Sequence, residues 1–455
     1  MKKGKRLTAV TLSLVMAMSI LAGCGKSNDA AGKTGGEEEA QAQESTQGTD
    51  KTEAEAVTIS LGMHVANVEA QEPVTGKIIA AFEEANPDIK VEVQGNDKDE
   101  HVKKMKMAAQ ANELPDIFWM DSSVAPELSE AGMLLDLTEF LAQYPDIAKA
   151  LDSNMKEANN LDGVQFGLPY QSLVTGVWYN KALFEEYGLQ EPVNGTTYEE
   201  LLNMVTVFNE NGITPIAQGA KDTYSIWAFL IAIERYGYFD KIDTILAGEE
   251  KFNNPEFVKF FEKLYELGEK GAFPSNSATM TYFQAKEDFI AGKSAMFDSG
   301  IWDAGELDGS LGENTGFWCG PTFADSDKTQ TVKMKVSSAP FCVSAKVGED
   351  EAKKEAVYRF LEFYYGEEAA KISYEGSMIP ATNYKVDVDM SAKPAFSAAA
   401  AALADETWTS PVAQPDLVLG EAVQAQLYDS IYGTMLGNYT PEQALDKIDT
   451  VLAQQ

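Results

Sequence analysis

Residues 57–119 read VTISLGMHVANVEAQEPVTGKIIAAFEEANPDIKVEVQGNDKDEHVKKMKMAAQANELPDIFW, and the order of elements in this stretch decides the fold. Val57 to Gly62, Ile89 to Val93 and Asp116 to Trp119 are predicted strands, separated by predicted helices over Val74 to Ala85 and Glu100 to Ala111. Asn86-Pro87-Asp88 stops the first helix, and Leu114-Pro115-Asp116 delivers the chain into the third strand. A βαβαβ order predicts an α/β fold with a mainly parallel sheet flanked by helices. Ligands of such sheets bind beyond the carboxyl ends of the strands, which singles out His64 after the first strand and Trp119, Asp121 and Ser122 after the third. His101 falls in the charged run Asp97 to Lys106 and is expected on a solvated helix face.

Upstream, Lys2, Lys3, Lys5 and Arg6 precede an apolar run from Leu7 to Ile20, the order of a secretory leader. Thr8, Thr11, Ser13 and Ser19 interrupt that run, and it is short of the ~20 apolar residues a membrane-spanning helix needs. Leu21-Ala22-Gly23-Cys24 resembles the lipobox of bacterial lipoproteins. That resemblance implies a signal peptide over 1–23 and a diacylglyceryl group on Cys24, whose two chains anchor a protein stably. Residues 25–56 hold no Val, Ile, Leu, Met or aromatic residue, so 24–56 is expected to be a lipidated, disordered tether.

About 400 residues follow, more than one hydrophobic core usually serves, and two lobes with a cleft are the expectation. The net charge of −35 keeps an extracytoplasmic chain soluble and repels phosphate backbones, so nucleic acid is not an expected partner. Besides Cys24 there are only Cys319 and Cys342, each in an apolar run, which suits two buried thiols or a single bridge between them. With His64 and His101 the only histidines and no CxxC spacing, no metal site is expected, and serine-histidine-acid catalysis would rest on His64 alone.

Farther along, Gly167-Leu168-Pro169-Tyr170 precedes Trp178-Tyr179-Asn180-Lys181-Ala182-Leu183-Phe184 and Tyr187-Gly188-Leu189. Asn180 is placed to cap a short helix that Gly188 ends, and Thr197-Tyr198-Glu199-Glu200 supplies a capping box for the next. Together with Ala291-Gly292-Lys293-Ser294-Ala295-Met296-Phe297, Gly300-Ile301-Trp302, Gly376-Ser377-Met378-Ile379-Pro380-Ala381 and Thr440-Pro441-Glu442-Gln443-Ala444-Leu445, this series resembles the extracellular solute-binding proteins of ATP-binding-cassette sugar importers, the family that includes the maltose-binding protein. The sequence departs from the family at Tyr198, where tryptophan is common, and at Ser337-Ser338, where a glycine pair is frequent.

The resemblance implies a two-lobed, periplasmic-binding-protein-like fold, each lobe a mainly parallel sheet flanked by helices and joined by hinge crossings. Lobe 1 would comprise 57–168 and 332–385, lobe 2 169–331 and 386–455. It further implies a monomer that captures a carbohydrate, an oligosaccharide, between its lobes and delivers it to membrane permease subunits, with no cofactor of its own. Sugars present C–H faces and hydroxyl edges, so their receptors need flat aromatic rings and planar polar groups. By the resemblance Trp302 and Tyr224 correspond to stacking residues, Asp222 to a hydroxyl-binding acid and Trp119 to a cleft aromatic. Asp298 lies beside Trp302, and Trp227 follows Asp222 and Tyr224, although its apolar helical run suits core packing equally well. Asp121 and Asp298 equally suit capping roles, while His64, Tyr170 and Gln171 join the candidates by cleft position. Trp178 and Trp318 are assigned to packing. The competing classes are a secreted glycoside hydrolase using paired carboxylates and a two-lobed receptor for a peptide or another solute.

Overall fold

The computed structural model describes residues 56–454 apart from 223, 224, 338 and 412, with the side chains of 153, 154, 336 and 337 also outside the description. The leader, Cys24, the tether and Tyr224 therefore lie outside the described residues. From residue 54 onward the chain forms one compact unit. Among the described residues no helix is long and apolar enough to cross a membrane.

The strands that matter for the site are β1 (Val57–Met63), β2 (Ile89–Gly95), β3 (Ile117–Trp119), β4 (Leu168–Pro169), β5 (Ser172–Asn180), β6 (Thr214–Ala217), β7 (Ser294–Gly300), β8 (Thr315–Trp318), β9 (Met334–Ser337) and β10 (Pro340–Val343). They form two separate sheets. The first runs β2-β1-β3-β10-β4, with β1 parallel to both β2 and β3 and β10 antiparallel to its neighbours. Helices α1 (Pro73–Ala85) and α2 (Lys98–Ala111) make the connections between β1, β2 and β3, as the βαβαβ reading requires. Its core gathers Ile59, Leu61, Ile78, Phe82, Leu168, Tyr170 and Phe341.

The second sheet runs β8-β5-β7-β6, with β9 also on β5, and it corrects the expectation of a mainly parallel second lobe. β5 is antiparallel to β7, β8 and β9, and only β6 and β7 are parallel. β5 carries the chain out of the first lobe, so strands made later inside the second lobe run back against it. Parallel pairing survives where helices connect the strands, and α5 (Trp227–Ala232) and α6 (Tyr282–Ile290) lie between β6 and β7, downstream of α3 (Lys181–Glu186) and α4 (Tyr198–Glu210). The chain passes from the first sheet to the second between Pro169 and Ser172, and back between Ser337 and Pro340. Those positions replace the boundaries at 169 and 332 read from the sequence, because Pro169 still pairs with β10 and Met334 already pairs with Thr175 of β5. After α7 (Glu351–Tyr364), Ala381 packs in the first core, whereas Ala395 and Phe396 of α8 (Pro394–Ala404) pack in the second.

Local signals produce the local geometry. The Asn180 side chain accepts the Ala182 N–H to start α3, and the Thr197–Glu200 capping box opens α4. Trp178 and Trp318 are buried in the core. Cys319 and Cys342 are unbridged, buried thiols, and burial pushes Cys319 up to about 11 and Cys342 further. His101 overturns its solvated reading: it is fully buried, and its Nε2 lies 2.7 Å from the Trp119 carbonyl oxygen.

Gly176 sits in the middle of β5, where an added Cβ would come within 2.4 Å of the Trp318 carbonyl oxygen and 2.7 Å of the Phe317 ring. Backbone on one side leaves the strand no room to yield. Gly176→Ala is therefore expected to lower stability by roughly 1–3 kcal/mol, measured as a reduced urea midpoint, and to loosen β5 from β8.

Candidate functional site

Both sheets aim strand ends at the space between the lobes. On the first lobe β1 ends at Met63 and β3 at Trp119, and the next residue after β1, His64, stacks on the Trp119 ring with centroids 4.2 Å apart and planes 20° apart. Tyr170, at the first crossing, meets His64 edge-on at 6.0 Å. Its hydroxyl donates to Glu72 Oε2 at 3.0 Å and lies 2.5 Å from the Thr75 hydroxyl. Glu72 Oε1 is 3.7 Å from His64 Nε2. Burial, reinforced by His101 and Lys98, takes His64 down to about 3, so the imidazole is neutral. Burial also raises Glu72 to about 7, partly opposed by the Tyr170 hydrogen bond.

Asp121 lies just past β3 and accepts from the Ser123 N–H at 3.0 Å and the Ser123 hydroxyl at 2.8 Å, with Lys98 Nζ 3.7 Å from its other oxygen. Burial would raise this carboxyl, but Lys98 and Ser123 outweigh it and hold it low. Gln171 is buried at the crossing itself.

On the second lobe Trp302 follows β7 and folds back over Gly300, whose missing Cβ would come within 2.2 Å of the indole. The indole N–H donates to the Tyr282 hydroxyl at 2.7 Å. That hydroxyl in turn contacts Ser299 Oγ at 2.7 Å and donates to Asp303, which Lys286 meets at 3.2 Å. Trp302 is thus held by a buried polar chain and keeps a half-exposed ring. Trp227 is also half-exposed, and it stands at right angles to both Trp302 (6.5 Å, 87°) and Tyr428 of α9 (Glu421–Met435; 6.5 Å, 82°). The Tyr428 hydroxyl donates to Asp416 at 2.5 Å, as does the Gln424 amide at 3.1 Å.

The two walls face each other. Asp121 of the first lobe is close enough to raise both Asp416 and Tyr428 of the second, after burial and their own pairing. Lys106 of α2 meets Glu421 at the start of α9 at 2.6 Å. His64 and Asp121 therefore stand on one wall, with Trp119 and Tyr170 buried behind His64, and Trp227 and Trp302 belong to the other. Asp222 accepts the Tyr282 N–H at 3.0 Å and seats the start of α6, within electrostatic reach of Tyr432.

Asp298 does not line the cleft. It is fully buried within β7, and its carboxylate accepts the Ala228 N–H at 2.9 Å beneath the first turn of α5. Its role is to position Trp227. Sequence reasoning passed over Glu72, Tyr282, Asp416 and Tyr428, which come from distant segments. Tyr282 alone left a local trace, because it opens the helix capped by the Thr281–Gln284 box. Among the described residues no cluster of His, Cys, Asp and Glu is arranged to hold a metal ion.

Burial raises Asp298 to about 7, opposed by the N–H groups of Ala228, Phe229 and Trp227. The folded protein then binds a proton that the unfolded chain releases near pH 4, so this group contributes stability at low pH and loses it as pH rises to about 7. Asp298→Asn keeps an oxygen for the helix N–H groups and removes the titration. The difference in stability between wild type and Asp298→Asn, read from urea unfolding at pH 5 and 8, is expected to shift against the wild type at pH 8.

A family model described as bacterial extracellular solute-binding protein matches residues 77–404. An uncharacterized ABC transporter extracellular-binding protein of Pyrococcus horikoshii is 28% identical over 130 residues, covering 28% of this chain and 29% of that protein. The chain spans about a third of the length of the first curated relatives it matches. Among solved structures, a protein from work on xylan utilization by the thermophilic Caldanaerobius polysaccharolyticus has a TM-score of 0.76 at 24% identity, covering 87% of this chain and 99% of its own. A chitin oligosaccharide binding protein has a TM-score of 0.76 at 23% identity, covering 87% and 98%. The two-lobed fold and the matched length agree: this chain belongs to the bacterial extracellular solute-binding protein family.

Proposed function

We propose that this protein is the substrate-binding component of an ABC-type carbohydrate importer, capturing an oligosaccharide between its lobes and delivering it unchanged to the permease subunits. The observation that carries this reading is the right-angled aromatic corner of Trp227, Trp302 and Tyr428 opposite the His64–Trp119 stack. The half-exposed rings of Trp227 and Trp302 suit the C–H faces of successive sugar units, and a corner fits a chain that bends between units. Asp121 and Asp222 beside them accept hydrogen bonds from hydroxyl groups. Acids outnumber Lys98 among these groups, and Lys98 is engaged with Asp121, so the charge pattern favours an uncharged ligand over a phosphorylated one. The names of the xylan- and chitin-related structural neighbours agree with this class. The leader and the Leu21–Cys24 motif support attachment through a lipid on Cys24 to the outer face of the cytoplasmic membrane, with the protein acting as a monomer.

The chain from residue 54 onward, which forms one compact unit, is the material for a thermal-shift screen against xylo- and chito-oligosaccharides, raffinose, monosaccharides, amino acids and sn-glycerol 3-phosphate. A true ligand at a hundredfold excess over its dissociation constant adds about 2.7 kcal/mol of stability. One neutral sugar series is expected to stabilise the protein and be recovered intact, and Trp302→Ala is expected to weaken it roughly tenfold or more. Stabilisation by glycerol phosphate or amino acids alone, or cleavage of the sugar, would overturn the reading.

A further inference from the structure

Glu72 is the one acid of the first wall that has no cation against it in the contacts that fix its side chain. It stands at the N-cap of α1, yet its side chain makes no cap hydrogen bond and turns instead to Tyr170 and His64. One oxygen accepts the Tyr170 hydroxyl, and the other faces His64 at 3.7 Å. The Glu72 side chain as a whole keeps 20% of its surface exposed, beside His64. His64 Nδ1 is buried without a hydrogen-bond partner.

The titratable and charged groups around Glu72 come from several elements. His64 faces it from the end of β1, and Tyr170 from the crossing. Tyr364 of α7 feels its charge. Lys98 and His101 of α2 act on His64, and Lys98 lies against Asp121. Glu69 and Lys77 on the flanking turns are exposed, and Lys371 and Glu375 of the neighbouring helix point at one another at 3.9 Å. The neutral imidazole offers no counter-charge. A sugar unit seated against His64 would cover the remaining exposed surface of the Glu72 side chain, which penalises the charged form further.

We propose that Glu72 reads a hydroxyl of the bound sugar as a neutral carboxylic acid, so that capture of ligand by the ionised protein takes up a proton from solvent. This rests on the oligosaccharide reading above. As an acid, Glu72 accepts from Tyr170 on one oxygen and donates from the other toward a sugar hydroxyl oxygen. Binding then belongs to the protonated protein and weakens as pH rises through about 7, the value to which burial lifts Glu72 before ligand arrives. His64 titrates near 3 and adds no slope in this range.

Isothermal titration calorimetry of the mature chain with xylotriose, chitotriose and raffinose, at pH 6 and 8 and in buffers of different ionisation enthalpy, tests this. Wild type is expected to bind its sugar roughly tenfold more weakly at pH 8 than at pH 6, with buffer-dependent heats that reveal proton uptake at pH 8 and little at pH 6. Glu72→Gln, which cannot ionise, is expected to bind with a flat pH profile and buffer-independent heats. A flat profile and buffer-independent heats in wild type overturn the proposal while leaving the sugar reading intact, and the wild-type heats decide even if the variant folds poorly. A slope retained in Glu72→Gln also overturns it and assigns the proton to another acid. No heat with any sugar at either pH overturns both readings.

Discussion

Two residues separate Pro169 in the first sheet from Ser172 in the second, and two separate Ser337 from Pro340. A residue spans at most ~3.6 Å, so these crossings hold the adjoining edges of the two sheets within a few residues' reach. The paired strands β5 and β9 make each crossing stiff on one side, and β4 with β10 does the same on the other. With the third passage between Ala381 and Ala395, these short connections are the ones about which a hinge rotation of the lobes would turn. The walls of the cleft keep their internal geometry during such a rotation, because each wall belongs to a single lobe.

Each wall is assembled by a different economy. On the first lobe the strand ends of β1 and β3 bring His64 and Trp119 together directly, and the crossing adds Tyr170. On the second lobe the rings are held from below: Tyr282 fixes the Trp302 indole, Asp298 seats the helix that presents Trp227, and Asp416 holds Tyr428. Buried polar groups in this wall stiffen the aromatic surface and leave its faces uncommitted.

The local part of this design was legible in the sequence. β1, β2 and β3, the helices between them, the Asn180 cap and the Thr197–Glu200 box depend on neighbours in the chain, and all appear where local chemistry puts them. The antiparallel second sheet was not legible, because it depends on which remote strands meet β5. His101 was misread through the charge of its surroundings, although His101, Met105 and Ala109 recur at the spacing of a buried helix face. Asp298 was read by its nearness to Trp302. Every residue of β7 is buried, however, so an acid there must find its partner inside the lobe. Glu72 and Tyr428 come from segments hundreds of residues apart and gave no joint signal.

The pair of unbridged thiols bears on how the two lobes are held. Cys319 lies in the second lobe and Cys342 in the first, and burial keeps both protonated at neutral pH. Neither is poised to attack a disulfide or to be captured by an oxidant. Among the described residues, then, the fold holds without a disulfide. The two cores of the described residues therefore close around thiols and need no covalent link between the lobes.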